Sequence, residues 1–264
     1  MTATPVLFTV EFRRKMAELS PEQRQEWLSS LASRWRRAPG RPDALLAQEL
    51  REVARGCRLR LVDSVARQLG PFPELHQRAL LEVPRERFVR PEDIDRSAQD
   101  IPLPLDDEGL ATISAPHAYL LSFRLLELAP GDSLVELGTG SGYGAALAAF
   151  IVGPEGRVVT VEIDPVLFAW ARGILSDQRN VDVLLEDAVA SAARWGDAKK
   201  IVVTFAVEEL PRAWLAALPE GGAMVAPVGP RDQDQRLVLA TRRRGRIVHT
   251  EHGVVRYVRN RSTK

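Results

Sequence analysis

Val135-Glu136-Leu137-Gly138-Thr139-Gly140-Ser141-Gly142-Tyr143-Gly144 is the stretch on which the reading of this chain turns. A short apolar run of strand character enters a loop with glycine at every second position, and an apolar helical run, Ala145–Val152, follows. Glycines there let the backbone turn tightly and approach a ligand with no Cβ in the way, while the helix that follows offers free N–H groups at its start. A strand that passes through such a loop into a helix is the opening unit of an α/β sheet.

Outward from this unit the pattern alternates. Strands are expected at 133–137, 157–162, 181–185, 200–205 and 222–227, with helices at 143–152, 165–176, 211–217 and, more weakly, 188–195. Apolar strands separated by helices predict a doubly wound, mostly parallel sheet with helices on both faces. Two further strand-like runs, 236–241 and 246–258, flank Arg242-Arg243-Arg244-Gly245-Arg246 and predict an antiparallel hairpin at the sheet's end. Upstream lie a helix at 118–128, an extended proline-punctuated stretch at 84–116 and a short helix at 74–81.

The first 70 residues read as helices. Ser20-Pro21-Glu22-Gln23 combines a hydroxyl cap, a proline at the first helical position and a Gln at the capping-box position. Ala38-Pro39-Gly40 ends that helix and Pro42-Asp43 opens the next, which carries Leu45, Leu46, Leu50 and Val53, then Leu59, Val62, Val65 and Leu69. Residues 1–72 are therefore expected as a helical extension and 73–264 as the functional domain. The tryptophans of the extension read as core or docking residues.

Composition narrows the function classes. At 264 residues, 45% hydrophobic and 27% charged, the chain can bury a sizeable core, which excludes wholesale disorder. A single cysteine, Cys57, excludes a disulfide framework and a cysteine-based metal cage, and reads as a buried small hydrophobe. No apolar run approaches the roughly 18 residues of a membrane span, and the N-terminus lacks the order of a signal peptide, so a cytoplasmic protein without a membrane partner is expected. The net charge of +1 is segregated: residues 1–70 hold 13 Lys+Arg against 8 Asp+Glu, residues 71–240 hold 15 against 26, and residues 241–264 hold 8 against 1. The arginine run reads as a solvated hairpin turn, and nucleic acid is not expected as a partner.

In open α/β sheets ligands bind beyond the carboxyl ends of the strands. Glu162, in Val161-Glu162-Ile163-Asp164, stands at the tip of the second strand, placed to accept hydrogen bonds from two ribose hydroxyls. Glu186-Asp187 ends the third strand, where a carboxylate can meet an adenine amine. A dinucleotide site requires G-x-G-x-x-G, and Tyr143 occupies the third glycine's place, which disfavours a dehydrogenase. The E-x-G-x-G-x-G pattern instead resembles the first motif of S-adenosyl-L-methionine-dependent methyltransferases. That likeness makes Glu136, Gly138, Thr139, Gly140, Ser141, Gly142, Glu162, Glu186 and Asp187 the expected cofactor-binding residues.

The segments before and after the loop narrow the family. Leu81–Phe88 (LEVPRERF), Asp100-Ile101-Pro102-Leu103-Pro104 and Ala111-Thr112-Ile113-Ser114-Ala115-Pro116-His117 resemble protein-L-isoaspartate O-methyltransferases in order and spacing, as do Leu218–Gly222, Ala226–Gly229 and Val255–Val258. The resemblance implies a Rossmann-like methyltransferase fold and methylation of isoaspartyl or aspartyl carboxylates of proteins or peptides. It implies Ser114 as the active-site hydroxyl, Ala111 and Thr112 on the cofactor side, and Ile113, Pro116, Thr204 and Phe205 on the substrate side. His117 is expected to pack in its helix. Several positions depart from the family's usual pattern. Ala98 stands where an aromatic is usual and Leu110-Ala111 where a glutamine is usual. Glu186-Asp187-Ala188 replaces G-D-G, Thr204–Val207 replaces a run of alanines, and Arg259-Asn260 replaces Pro-Leu. The alternatives to a general repair enzyme are a relative dedicated to one peptide and a non-catalytic adenosine-ligand binding or scaffold protein. The N-terminal helices are the candidate docking surface for a partner.

Overall fold

A computed structural model describes residues 10–38, 44–230 and 233–261. Its packing divides the chain into two compact units, Met1–Ile101 and Pro102–Lys264. Residues 73–101, grouped by the sequence with the downstream domain, thus pack within the first unit.

The first unit comprises helices α1 (Val10–Glu18), α2 (Pro21–Arg37), α3 (Ala44–Leu69) and α4 (Glu74–Glu82), followed by two 3₁₀ turns at Arg85–Arg87 and Pro91–Arg96. The capping box forms as expected: Ser20 Oγ accepts the Gln23 N–H at 3.2 Å, and Gln23 Oε1 accepts the Ser20 N–H at 2.7 Å. Helix α1 has no counterpart in the sequence reading, and the turn at Pro39-Gly40 and Pro42-Asp43 lies outside the described residues. In α3 the buried stripe is Leu46, Leu50, Val53, Ala54, Cys57, Arg58, Leu61 and Val65. Leu45 and Leu59, read from the sequence with the helix's other apolar residues, are exposed; Leu59 lies two positions from Cys57, about 200° around the helix. Arg58 pairs with Glu86 at 2.5 Å in full burial and donates from Nε to the Leu81 carbonyl. Arg85, also buried, donates to the carbonyls of Ser97, Gln99 and Ile101. The Arg58 guanidinium ties residues 81–86 to α3, and that of Arg85 holds the 85–101 segment together.

The second unit begins with a small hairpin, β1 (Leu103–Pro104) on β2 (Thr112–Ile113), and helix α5 (Pro116–Leu125). The alternation then follows as β3 (Ser133–Leu137), α6 (Tyr143–Val152), β4 (Arg157–Glu162), α7 (Pro165–Ile174), β5 (Val181–Leu185), β6 (Lys200–Val203), α8 (Arg212–Ala217), β7 (Ala223–Val228), β8 (Gln235–Arg243) and β9 (Arg246–Val255). The weak helix expected at 188–195 is a 3₁₀ turn, Ala190–Arg194. The seven strands lie in the order β5-β4-β3-β6-β7-β8-β9, parallel through β7 and antiparallel thereafter. One face of the sheet packs Val135, Leu137, Ile201, Val203, Met224 and Ala226 on Trp214 and Leu218. Because β4 and β6 flank β3 on opposite sides, the chain reverses its direction of winding at β3, and a crevice opens beyond its carboxyl end.

The hairpin forms where expected. Arg244 and Gly245 take positive φ at its turn, and their N–H groups donate to Glu220. Arg242 is no free surface charge: its guanidinium donates to the carbonyls of Leu218 and Leu215, which closes the last turn of α8. Strand β9 ends the sheet and is exposed along most of its length. No helix among the described residues is long and apolar enough to cross a membrane.

Candidate active site

The crevice beyond β3 is a cleft that opens to solvent. Its walls are the glycine loop (Gly138, Gly140), the tip of β4 (Val161, Glu162, Ile163), Glu186 and Ala188 after β5, Thr204 and Phe205 after β6, Leu110–Thr112, and Val258–Arg261.

The glycine loop is shaped by contacts that forbid a side chain. Gly138 has φ +95°, and a Cβ there would lie 2.4 Å from Thr204 Oγ1 and 2.9 Å from the Phe205 ring. Thr204 Oγ1 in turn donates toward the carbonyls of Leu137 (3.0 Å) and Gly138 (2.5 Å), so β6 leaves the ladder at Val203 rather than at 205. Gly144 packs on the carboxyl group of Glu136, which a Cβ would meet at 2.0 Å. Tyr143, where a dinucleotide loop would need glycine, is fully buried edge-on to Tyr119, with ring centroids 5.8 Å apart.

Glu162 carries the loop. Its Oε2 accepts the Gly140 N–H at 2.7 Å, and its Oε1 accepts the N–H groups of Ile163 and Asp164 at 3.0 Å each. Burial raises its pKa and these three donors oppose the rise. A carboxylate offers about four acceptor positions, so one position, on Oε2, is left for a ligand hydroxyl.

Of the consecutive carboxylates after β5, Glu186 lines the cleft. Asp187 is not among the lining residues, and its Oδ1 accepts the Val189 N–H at 2.7 Å at the start of the following 3₁₀ turn. Thr139 and Ser141 are buried beneath the loop, with Thr139 Oγ1 2.6 Å from Thr160 Oγ1. Gly142 caps α6 with φ +93°. Ile113 and Pro116 are buried, and Ser114 is half-buried with its N–H donating to Tyr119 Oη at 3.3 Å. These three are not among the lining residues. The N-cap position of α5 is Ala115, one residue after Ser114.

Glu136 sits below the cleft rather than in its wall. Its Oε2 accepts the Thr160 hydroxyl at 2.7 Å across the β3–β4 register, and its carboxyl reaches the backbone of Ala145 in the first turn of α6. Burial pushes its pKa up to about 8, with the nearby Glu162 contributing and the Thr160 donor opposing. A carboxyl raised in the folded state contributes stability that is full below its unfolded pKa and is lost as pH rises through the folded value. Relative to wild type, Glu136→Gln should therefore gain stability between about pH 5 and pH 8, by at most about 1.4 kcal/mol per pH unit. Denaturant titrations of both proteins across that range check this, and a pH-independent difference would show that Glu136 is ionised in the fold.

Sequence reasoning missed the contributions of Ile163, Leu110 and Val258–Arg261 to the cleft. An apolar residue exposed at a strand tip was the signal for the first. For the last, the signal was the departure Arg259-Asn260 after Val255–Val258. Backbone pairing beside β6 places this segment: the Ala206 N–H donates to the Val258 carbonyl at 2.7 Å and the Asn260 N–H to the Ala206 carbonyl at 3.1 Å.

Residues 73–264 match the family model for protein-L-isoaspartate(D-aspartate) O-methyltransferase. The chain belongs to this family. A protein-L-isoaspartate O-methyltransferase of Methanopyrus kandleri is 39% identical over 184 residues, 68% of this chain and 80% of that one. Among solved structures, a protein-L-isoaspartate O-methyltransferase matches with a TM-score of 0.70 and 26% identity over 76% of this chain. The match spans 65% of that structure's length, just under two thirds. A second, from Plasmodium falciparum in complex with S-adenosyl-L-homocysteine, matches with a TM-score of 0.67 and 22% identity over 77% of this chain and 98% of that one. The isoaspartate methyltransferase family match begins at residue 73, so the helices α1–α3 lie outside it.

Proposed function

We propose that this chain is an S-adenosyl-L-methionine-dependent carboxyl O-methyltransferase that acts in the cytoplasm on isoaspartyl or aspartyl residues of proteins or peptides, as a repair enzyme. The observation that carries the reading is the cleft at the reversal point of a family-typical sheet, with the glycine loop on one side and Glu162 and Glu186 at successive strand tips. These residues suit the cofactor's chemistry. The side-chain-free Gly138 and Gly140 leave room for close approach, Glu162 has an acceptor for a hydroxyl, Glu186 can take an amine, and Ile163 and Leu110 offer apolar surface to a base.

When bound, S-adenosyl-L-methionine supplies an electrophilic methyl group. The chain's own task is then to bind, align and dry the reactants. A substrate carboxylate with an ordinary pKa near 4 is ionised at pH 7, so no general base is required of the cleft. Alignment follows from a rigid floor, since the glycine loop is fixed by Glu162 from one side and by Thr204 from the other. Leu110, Ile163 and Phe205 remove water from the walls. In this reading Ser114 orients the substrate carboxylate through its hydroxyl. Ser114→Ala is then expected to lower kcat on an isoaspartyl peptide by about tenfold or more, with unchanged affinity for S-adenosylhomocysteine. Wild-type protein that transfers no methyl group to isoaspartyl peptides would end the proposal.

Within the same proposal, the first unit selects acidic substrates. Deleting residues 1–72 is no clean test, because it removes Arg58, the partner of Glu86, together with helices of the unit in which residues 73–101 pack. Arg51 and Arg67 are exposed, and replacing both by Gln should lower kcat/KM for an acidic isoaspartyl peptide at low salt by about threefold, sparing a neutral one. An equal effect on both peptides would remove the helices from recognition.

A further inference from the structure

We infer that Arg261 is a positioning residue, a clasp that joins two walls of the cleft and slows the escape of its occupant. The inference rests on the cofactor reading above and concerns a segment that departs from the family's usual sequence. Residues 258–261 lie along the rim because their backbone pairs with Ala206, and all four line the cleft. From that position the Arg261 guanidinium divides its two terminal nitrogens between two carboxylates. Nη1 donates to Asp164 Oδ2 at 2.7 Å and Nη2 to Asp106 Oδ2 at 2.6 Å.

Each carboxylate anchors a different wall. Asp106 lies in the β1–β2 loop, and its Oδ1 accepts the Leu110 N–H at 2.8 Å, which holds in place the loop carrying Leu110 and Ala111. Asp164 caps α7, its Oδ1 accepting the N–H groups of Val166 and Leu167, directly after Glu162 and Ile163. Without a cation between them the two carboxylates would repel, and the loop would lose its tie to the β4 tip. The three side chains keep between 22% and 29% of their surface exposed, so the clasp is dry enough to hold and wet enough to be screened by salt. Its geometry requires arginine: a planar fork can serve two carboxylates at once, whereas lysine is a point charge on a flexible stem.

The test uses the full chain and Arg261→Met, Arg261→Lys and Asp106→Asn. Asp106→Asn keeps the acceptor for the Leu110 N–H and removes only the charge. In ligand-free protein, amide exchange across residues 105–111 should quicken about tenfold in Arg261→Met and in Asp106→Asn, and no further in the double variant. Unchanged exchange in both single variants overturns the clasp. With S-adenosylhomocysteine as probe, release from Arg261→Met should be about tenfold faster than from wild type, with Arg261→Lys between them. Raising salt from about 0.05 to 0.5 M should speed release from wild type and leave Arg261→Met unaffected. Equal release rates with faster exchange would show that the clasp exists and positions nothing. Failure of wild type to bind S-adenosylhomocysteine would instead bring down the cofactor reading, while the exchange measurement still decides whether the clasp forms.

Discussion

Glu162→Ala is expected to weaken S-adenosylhomocysteine binding by about 10- to 150-fold, the equivalent of roughly 1.5–3 kcal/mol for one charge-assisted hydrogen bond. The variant should fall at the upper end, because the same side chain holds the Gly140 N–H and with it the loop's course past the cleft. Glu162→Gln should be almost as damaging. The carboxylate accepts from three backbone N–H groups, two on Oε1 and one on Oε2, so an amide must turn its NH₂ toward a donor whichever way it is flipped. Glu186→Gln, whose carboxylate is tied to no backbone donor in this way, should cost several-fold less. Calorimetric titration separates the three, and wild type at 100 times its dissociation constant should gain about 2.7 kcal/mol of stability, with no comparable gain from NAD. Near-normal binding by Glu162→Gln would show that the loop does not need this carboxylate.

Arg58→Met should destabilise the first unit by about 3–5 kcal/mol at pH 7. The reason is what it leaves behind: Glu86 would stay buried with its charge uncompensated, its other oxygen already lacking a bonded partner. Methionine roughly preserves the arginine's volume, so a packing defect contributes little. An orphaned, buried carboxyl has its folded pKa raised, and the stability it withholds is regained as pH falls and it takes up a proton. The deficit should accordingly shrink between about pH 7 and pH 4.5. A pH-independent loss in chemical denaturation would mean that packing around Arg58, and not charge, is what the fold requires. Either way, the result bears on residues 83–101, which carry family-like sequence and fold with the helices that precede the family match.

The parallel part of the sheet was legible because its signals are local. β3 and β4 are apolar runs buried between helices and bounded by turn residues, and α6 starts at a glycine that only a positive φ explains. Glu162 was legible for the same reason, since it closes a strand at a fixed distance from the loop. Which of Glu186 and Asp187 faces the cleft was not, because it depends on the turn after β5, where Asp187 is drawn to the Val189 N–H. The burial of Glu136 followed from its cross-strand neighbour Thr160 and from Gly144, neither of which is adjacent in sequence. The rim formed by Val258–Arg261 rests on pairing with Ala206, a contact between distant parts of the chain with no periodic signature. In α3 the apolar residues exceed what one stripe can bury, so composition alone could not say that Leu59 would be left outside.

Strand β9 closes the sheet with a ten-residue ribbon turned almost wholly to solvent, and an open ribbon of that length invites another chain to extend it. What discourages such growth is the ribbon's own chemistry. Arg246, His249, Glu251 and His252 would each have to shed water on stacking, and a break in register between Arg236 and Val238 spoils the flatness that fibrils need. The terminal hairpin thus contributes to colloidal behaviour as well as to architecture, and its polar side chains guard against filament growth although none of them lines the cleft.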